Sequence, residues 1–166
     1  MNVGPTYTED GFTISNLSNT TSSTALLSPR SGNTTYYAGS AALFNNSGNG
    51  TTELVKDSGG TFDLFSIDLT EVDINRLGPT SVDFTGHLFG GGTITQSIGL
   101  DGVFGFETLF FSGFENLTSV TWVQSPQFHQ FDNIRIDVAA VSEPSVLALL
   151  GLGLVGVGFS RKKKTT

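Results

Sequence analysis

Short stretches in which apolar and polar side chains alternate recur through the chain before its last 28 residues. Between residues 81 and 89, the apolar side chains of Val82, Phe84 and Leu88 alternate with polar ones. A period of two is typical of a strand with one face in the core and the other in water. Turn-forming Gly, Asn, Asp and Ser residues separate the stretches, and no helical period of useful length interrupts them. The pattern predicts an all-β chain up to this point.

The predicted strands are short and spread along the whole segment. They cover residues 11–15, 25–27, 34–44 (as one or two strands), 51–55, 61–69, 81–89, 92–100, 108–112, 117–124 and 131–138. In the fifth of these, Phe65, Ile67 and Leu69 are expected to share one face. Asp101 and Gly102 form the dipeptide that best fits a type I′ turn, which predicts a hairpin between the strands on either side. Strands and turns at this spacing predict an antiparallel β-sandwich or barrel.

The distribution of charge argues against a nucleic-acid partner. Four of the eight Lys and Arg residues stand at residues 161–164, so residues 1–142 carry four basic side chains against 14 acidic ones. An acidic surface repels phosphate backbones. The chain has no cysteine, which excludes disulfides, thiolate metal sites and cysteine nucleophiles.

The last part of the chain has a different pattern. An uninterrupted apolar run of 14 residues begins at Val146 and ends at Phe159. Four cations follow it, namely Arg161, Lys162, Lys163 and Lys164. As a helix the run would rise ~21 Å, somewhat less than the ~30 Å hydrocarbon core of a bilayer. A helix that packs on the core at a protein surface has a polar face, and this run has none. The cations are typical of the cytoplasmic flank of a membrane segment. We therefore predict a single apolar helix over residues 146–160 that spans a membrane transiently.

A short motif precedes this run. Ser142, Glu143 and Pro144 are followed by the Leu-, Gly- and Val-rich segment and then by the basic end. This order resembles the PEP-CTERM sorting signal of Gram-negative bacteria, with Ser142 in place of the first proline. The resemblance implies an exported protein that a membrane transpeptidase of the exosortase type processes. Such a protein is anchored briefly in the inner membrane and then reaches the cell surface or the extracellular matrix.

The first residues lack the features of a secretion signal. Residues 1–12 have neither a basic n-region nor an apolar h-region. Because the resemblance implies a cleavable signal, we expect the sequence to be incomplete at this end. We therefore divide the chain into five predicted parts. They are an N-terminal segment (1–10), a β-sandwich domain (11–138), a linker with the Ser-Glu-Pro motif (139–145), the sorting helix (146–160) and a basic cytoplasmic tail (161–166).

Two stretches of the β-domain resemble the jelly-roll domains of carbohydrate-binding modules and galactose-binding-like folds. They are residues 9–12 near the start and residues 131–136 in the last strand. The resemblance implies a jelly-roll-like sandwich and a structural Ca²⁺ between Glu9 or Asp10 and Asp132. Carboxylates and backbone carbonyls are the oxygen ligands that Ca²⁺ prefers. The alternative is a solvated turn and an Asp at a strand edge, without a metal.

Sugar binding requires an exposed aromatic ring with amides or carboxylates beside it, because the apolar face of a pyranose stacks on the ring. The candidates are Tyr36, Tyr37 and Trp122. Tyr36 and Tyr37 point to opposite faces if they lie in a strand, so one of them would be exposed. Trp122 shares a face with Val120, a pattern that predicts burial.

Catalysis is the competing hypothesis. Asp63, Asp68 and Asp83 could supply the carboxylate pair of a glycosidase, although acids on outward strand faces are common. His87 and His129 do not have the spacing of metal ligands. The favoured hypothesis is a non-enzymatic surface or matrix protein that binds carbohydrate and is associated with exopolysaccharide or biofilm. A small polysaccharide-active enzyme and a structural matrix protein without a ligand remain as alternatives. Three carboxylates and a histidine in one cleft would favour the enzyme.

Overall fold

The computed structural model describes residues 1–75, 80–124 and 128–137. The predicted linker, sorting helix and basic tail lie outside the described residues. The strands found are β1 (Asn2–Gly4), β2 (Thr6–Glu9), β3 (Phe12–Asn16), β4 (Leu26–Leu27), β5 (Phe44–Asn45), β6 (Thr51–Lys56), β7 (Asp63–Glu71), β8 (Thr80–Leu88), β9 (Thr93–Leu100), β10 (Glu107–Phe110), β11 (Leu117–Val123) and β12 (His129–Asp137). Of the described residues, none belongs to a helix with the length and apolarity that crossing a membrane requires.

The strands form two layers. The first layer is a six-stranded antiparallel sheet in the order β2-β3-β6-β11-β8-β9. The second layer combines β10-β7-β12 with β1-β4-β5, and the backbones of Leu43 and Phe131 join these two sheets by exchanging hydrogen bonds. Side chains of both layers form one apolar core, in which the ring of Trp122 meets that of Phe131 edge to face at 5.0 Å between centroids. The prediction of an all-β antiparallel sandwich is confirmed.

Both outer edges of the sandwich are tied to the opposite layer. At one edge the chain passes from β1 in the second layer to β2 in the first at Gly4, whose φ of 111° suits only glycine. The first two strands thereby place residues 2–9 in the sandwich, where the sequence predicts a separate segment. At the other edge, the side chain of Gln96 on β9 donates to the Phe110 carbonyl oxygen (2.8 Å) and accepts from the Ser112 amide (3.2 Å).

A buried group of polar side chains, here called the asparagine network, joins the short strands of the second layer to the first. Asn16 Nδ2 on β3 donates to Asn45 Oδ1 on β5 (2.6 Å) and to the Ala25 carbonyl oxygen (2.9 Å). Asn45 Nδ2 donates to Thr52 Oγ1 on β6 (3.1 Å), and Asn45 Oδ1 also accepts from the Ser47 amide (3.0 Å). Asn16, Asn45 and Thr52 are all buried. The network gives two-residue strands an anchor that their own ladder hydrogen bonds could not provide.

The alternation predicted for the central strands of the first layer is correct. Val82 and Phe84 on β8 are buried, and so are Val120 and Trp122 on β11. Asp83, between the two buried residues of β8, is exposed. These strands have one face in the core and the other in water, as their sequence pattern indicates.

Phe65 lies outside the core while Ile67 and Leu69 are buried, so the prediction that the three share one face is wrong. Its side chain is 43% exposed. The register between β7 and β12 shifts at this point, because Arg135 pairs with Ser66 while the next residue, Ile136, pairs with Leu64. Phe65 therefore has no partner on β12, and Leu64 takes the buried position instead.

The predicted hairpin at Asp101 and Gly102 is also wrong. The strand that follows, β10, pairs with β7 and not with β9, so the chain crosses here to the second layer. Asp101 Oδ1 accepts from the Val103 amide (2.7 Å), which directs the backbone into an Asx turn. A two-residue turn with positive φ at both positions occurs instead at Asp10 (50°) and Gly11 (79°), between β2 and β3.

Residues 34–42 form a turn and irregular backbone where the sequence predicts one or two strands, while Leu43 forms an isolated bridge and Phe44 begins β5. The cause is the side chain of Asn33, whose Oδ1 accepts from the backbone amides of Thr35 (3.1 Å) and Tyr36 (3.3 Å). An Asn side chain that binds nearby amides competes with the ladder of a sheet. The strand prediction for this segment is therefore wrong.

Candidate ligand-binding clefts

Two clefts adjoin the second layer near the short strands β4 and β5. One has a volume of about 460 Å³ and the other of about 410 Å³. Met1 and Ser28 line both of them, so the two are neighbours. We call the first the acidic cleft and the second the Tyr36 cleft, after the residues described below.

The acidic cleft has an apolar interior. Strands of the first layer contribute Phe12, Ile14 and Leu54 to its lining, and β12 of the second layer contributes Ile134 and Ile136. The two layers share these residues with the core, because all five pack in or against the same apolar cluster. The cleft therefore offers an apolar surface that continues into the rigid interior of the sandwich.

Carboxylates surround that apolar surface. Glu9, Asp10 and Asp132 all line the acidic cleft. The Tyr7 hydroxyl donates to Glu9 Oε2 (3.0 Å). Burial raises the pKa of Tyr7, and the hydrogen bond to Glu9 and the negative charges of Glu9, Asp132 and Asp10 raise it further. All three carboxylates are therefore near enough to Tyr7 to disfavour its ionisation.

The backbone fixes two of these acids. Asp10 occupies the first central position of the type I′ turn, and Asp132 lies on β12 directly opposite Asp68 of β7. One carboxylate oxygen of Asp132 accepts from the Ser40 hydroxyl and the other from the Asn133 amide (2.8 Å). Their positions are therefore set by the hairpin and the sheet and not by side-chain packing alone.

The calcium hypothesis concerns the same residues. Glu9, Asp10 and Asp132 come to one cleft, as the hypothesis requires. Among the described residues, however, no three His, Cys, Asp or Glu side chains are grouped closely enough to hold a metal ion. The calcium site stays a prediction, and the dependence of the melting temperature on Ca²⁺ would test it.

The Tyr36 cleft combines aromatic rings with polar side chains. Its rings are those of Tyr36, Phe44 and Phe128. The ring of Tyr36 is 38% exposed. The polar side chains that line the cleft are those of Asn2, Ser28, Asn33, Asn46 and Asp73. This is the combination of an exposed ring with amides and a carboxylate that sugar recognition requires.

Hydrogen bonds to its backbone hold Tyr36 in place. Asn33 Oδ1 accepts from the Tyr36 amide, as described above, and the Ile74 amide donates to the Thr35 carbonyl oxygen (3.2 Å). The fully buried Gln130 on β12 donates through Nε2 to the Tyr36 carbonyl oxygen (2.7 Å). The turn that carries the exposed ring is thus fixed to the sheet, which lowers the entropy cost of presenting the ring to a ligand.

The polar side chains of the Tyr36 cleft are ordered by their own contacts. Asp73 Oδ1 accepts from the backbone amide (2.7 Å) and the side-chain Nδ2 (2.9 Å) of Asn75. Asn46 Nδ2 donates to the Thr24 carbonyl oxygen (3.2 Å). These bonds set the orientation of both side chains, and Asn46 Oδ1 is thereby placed to accept from a ligand hydroxyl.

The other two aromatic candidates are placed elsewhere. The Tyr37 hydroxyl donates to the Gly39 carbonyl oxygen (2.9 Å), and Tyr37 lines neither cleft. Trp122 is 1% exposed, which removes it from the candidate ligand residues because a sugar needs an accessible ring. The sequence analysis missed Asn33, Phe44, Asn46, Asp73, Phe128 and Gln130. The one signal it could have used is the turn-forming Asn33 three residues before Tyr36.

The acids considered for catalysis do not meet in one site. Asp63 Oδ1 accepts from the Asn116 amide (2.8 Å), and Asp68 accepts from Thr108 and Asn133 on the outer side of β7. Asp83 is on β8 in the other layer. The condition of three carboxylates with a histidine is not met among the described residues, because neither His87 nor His129 lines a cleft.

His129 is instead part of the interior. It is fully buried, and neither ring nitrogen has a hydrogen-bond partner in the described part of the chain. Burial lowers the pKa of His129 to about 3, so the ring is neutral at physiological pH.

Comparisons with known proteins give two results. Three solved structures of single-residue variants of CBM29-2, a family 29 carbohydrate-binding module, resemble the chain with TM-scores of 0.40 to 0.41 and 14 to 16% sequence identity. They cover 75 to 76% of this chain and 89 to 91% of their own. No curated protein matches the sequence. Residues 140–162 match the family model described as the PEP-CTERM protein-sorting motif, so the chain carries a signal for export.

Proposed function

We propose that this exported protein is a non-enzymatic polysaccharide-binding component of the cell surface or the extracellular matrix, where exopolysaccharide is its ligand. The observation that supports binding is the Tyr36 cleft, with an exposed ring beside Asn33, Asn46 and Asp73. A pyranose would stack one apolar face on the Tyr36 ring, and its hydroxyls would exchange hydrogen bonds with the amides and the carboxylate. The volume of about 410 Å³ lies in the range typical of small-ligand sites.

The sorting motif supports the location. It indicates export with transient anchoring in a membrane. We place the recognition step at Ser142, Glu143 and Pro144, where an exosortase-type transpeptidase would cut and release the β-sandwich from the apolar run. The cations Arg161 to Lys164 would hold the far end of that run on the cytoplasmic side until the cut.

Mass spectrometry of the mature protein from its native host tests this step. A C-terminus near Glu143 or Pro144 would support processing. A chain that still ends in Lys-Thr-Thr would contradict it and leave a permanent anchor.

Affinity electrophoresis against a panel of soluble polysaccharides tests ligand binding. For a polysaccharide that retards the native protein, Tyr36→Ala should weaken binding about tenfold, as the loss of an aromatic contact at the centre of a site does. Phe89→Ala is the matched control, because Phe89 is 72% exposed and lines neither cleft. Equal effects of the two substitutions would reject the Tyr36 cleft as the binding site.

The same samples separate the competing functions. Release of reducing ends from a bound polysaccharide would favour the polysaccharide-active enzyme and reject the non-enzymatic proposal. Absence of binding to every polysaccharide in the panel would favour the structural matrix protein.

A further inference from the structure

The acidic cleft combines an apolar interior with three surrounding carboxylates, a combination that the Tyr36 cleft lacks. Its interior carries Tyr7 and Phe12 next to aliphatic side chains of both layers. The cleft thus offers apolar surface that stays dry against the flat face of a ligand ring. A cleft of about 460 Å³ accommodates a ligand of the size of one or two sugar rings.

The charged side chains around this apolar surface are all acidic. Glu9, Asp10 and Asp132 line the cleft, and no Lys, Arg or His side chain is among the described residues that line it. The α-amino group of Met1, which also lines the cleft, donates to the Ser28 carbonyl oxygen. An anionic ligand would meet three carboxylates here, so electrostatic repulsion selects against uronic acids and sulfated or phosphorylated sugars.

The sheet behind the cleft keeps a further carboxylate close. Asp68 on β7 lies directly opposite Asp132 on β12. Like charges directly opposite each other in a sheet are destabilising. Asp68 Oδ2 is bonded to Asn133 Nδ2, and Asn133 lines the cleft next to Asp132. Asp68 does not itself line the cleft, but its charge lies across the strand pair from that of Asp132 and adds to the negative field there.

From the apolar interior and the carboxylates around it, we infer that the acidic cleft binds a glycan that bears protonated amines, that is, a polymer of amino sugars without N-acetyl groups. The ring of such a sugar would lie against the apolar surface while its ammonium group donates to Glu9, Asp10 or Asp132. The inference rests on the proposed function in that the ligand is a glycan. It goes beyond that function by adding a second site and by stating the charge of its ligand.

The charge of the whole domain acts in the same direction. Residues 1–142 carry 14 acidic side chains and four basic ones. A field of this sign raises the encounter rate with a polycation and lowers it with a polyanion. A basic peptide would share the charge but would not supply the flat apolar ring face that the interior of the cleft accommodates.

Calorimetry with defined oligosaccharides tests the inference. The probes are the β-1,4-linked tetramer of glucosamine, its fully N-acetylated counterpart and the corresponding glucose tetramer, at a pH where the free amines are protonated. The native protein should bind the glucosamine tetramer at least ten times more tightly than the other two. A preference for the acetylated or the neutral tetramer would overturn the inference.

Two pairs of substitutions locate the site. Glu9→Gln with Asp10→Asn removes two charges from the cleft and keeps the hairpin, because Asn-Gly fits a type I′ turn as well as Asp-Gly does. Asp83→Asn with Glu115→Gln removes two charges from exposed positions that line neither cleft. The first pair should weaken glucosamine binding about tenfold and the second less than twofold. Equal losses would mean unspecific charge attraction and would overturn the site.

Two controls complete the design. Unchanged melting temperatures of both double variants show that they fold, and Glu9→Gln alone replaces the double variant if the turn proves sensitive. Tetralysine represents the competing ligand class, basic peptides. If tetralysine binds as tightly as the glucosamine tetramer and its binding is lost in the same variants, the cleft is a site for basic peptides and the glycan assignment is wrong.

The outcomes also separate this inference from the proposed function. If a neutral polysaccharide binds and Tyr36→Ala abolishes that binding, while no amine preference is found, only the acidic cleft is misassigned. If no glycan binds in either cleft, both proposals fail together.

Discussion

The interior of this sandwich contains two polar regions that differ in how their hydrogen bonds are satisfied. In the asparagine network, both Nδ2 and Oδ1 of Asn45 have partners, and Asn16 is bonded to Asn45 and to backbone. A second group, here called the unpartnered group, consists of Glu71, His129 and the Oε1 atom of Gln124. The carboxylate oxygens of Glu71, the ring nitrogens of His129 and Gln124 Oε1 are as deeply buried as the asparagine network. They have no hydrogen-bond partner in the described part of the chain.

The two regions also differ in their place in the sheets. The asparagine network joins strands of different layers, whereas His129 and Glu71 pair within one layer, opposite each other on β12 and β7. A satisfied buried group stabilises its surroundings, while an unsatisfied one costs the free energy of its desolvation. The comparison teaches that burial alone does not decide whether a polar residue supports this fold.

The largest loss in the free energy of unfolding should follow the truncation of a residue of the asparagine network. Asn45→Ala removes a side chain that is 0% exposed and leaves Asn16 Nδ2, Thr52 Oγ1 and the Ser47 amide each without one partner. We expect a loss of about 3 kcal/mol in the free energy of unfolding, measured by urea denaturation. Asn46→Ala, at the exposed neighbouring position, should cost less than about 1 kcal/mol. Equal costs would show that the network does not anchor the short strands.

The unpartnered group should respond to acid instead. The pKa of His129 is lowered to about 3 by burial, against an ordinary value near 6.5. Below pH ~6.5 the unfolded chain binds a proton that the folded chain does not, so the free energy of unfolding falls as the pH falls towards about 3. When the pH falls from ~6.5 to ~5, this residue should lower the free energy of unfolding by about 2 kcal/mol.

Replacement of the imidazole isolates that contribution. His129→Leu removes the titrating group and its two unpartnered ring nitrogens, so the variant should be at least as stable as the native protein at neutral pH. Its urea midpoint should change less between pH ~6.5 and ~5 than that of the native protein. A parallel pH dependence of the two proteins would mean that His129 is hydrated or paired in the folded state.

The sequence predicts the strand pattern better than it predicts the polar interior. The alternation of Val82 with Phe84 and of Val120 with Trp122 is local, so the strands and their buried faces follow from it. Phe65 breaks the rule, because the register shift that exposes it depends on the pairing of β7 with β12. A shift of register is a property of two strands and leaves no mark on the sequence of one.

The clefts could not be predicted for a related reason. Tyr36 is held by Gln130, which lies 94 residues further along the chain, and Glu9 shares its cleft with Asp132, which is more distant still in the sequence. Only the second of these pairings was expected, because a family resemblance named its residues. The sorting motif needed no such pairing: it is linear, and its residues are recognised in order. Sequence analysis therefore succeeded where the function depends on consecutive residues.

Gln130 lies outside both polar regions but combines their features, since its Nε2 has partners and its Oε1 has none among the described residues, so its truncation should have an intermediate effect. Its Nε2 donates to the carbonyl oxygens of Tyr36 (2.7 Å), Glu71 (3.3 Å) and Val72 (3.3 Å), while its Oε1 has no partner in the described part of the chain. Gln130→Ala should lower the free energy of unfolding by about 1.5 kcal/mol, because the lost bonds outweigh the removal of the unpartnered oxygen.

The same substitution should weaken polysaccharide binding at the Tyr36 cleft, since the turn that carries the ring loses its buried anchor. The expected loss is smaller than that of Tyr36→Ala, because the ring itself remains. Gln130→Ala with unchanged binding would mean that Asn33 alone is sufficient to hold the turn.

Glu71 should give the smallest effect, and with a sign opposite to that of the asparagine network. Burial raises the pKa of Glu71, and the charges of Asp101 and Glu107 add to the rise. The nearby backbone amides of Glu71 and Gly102 offset part of it, although neither has the geometry of a hydrogen bond to the carboxylate. When the pKa of a carboxyl group is higher in the folded than in the unfolded state, the protein loses stability as the pH rises above the ordinary pKa of that group. Glu71→Gln keeps the shape and cannot ionise, so the variant should gain stability over the native protein as the pH rises from ~4 to ~8. Asp83→Asn, at an exposed position, should show no such gain. If Glu71→Gln were destabilising at pH ~8, the ionised carboxylate would have a compensating partner, and the contrast between the two polar regions would rest on His129 alone.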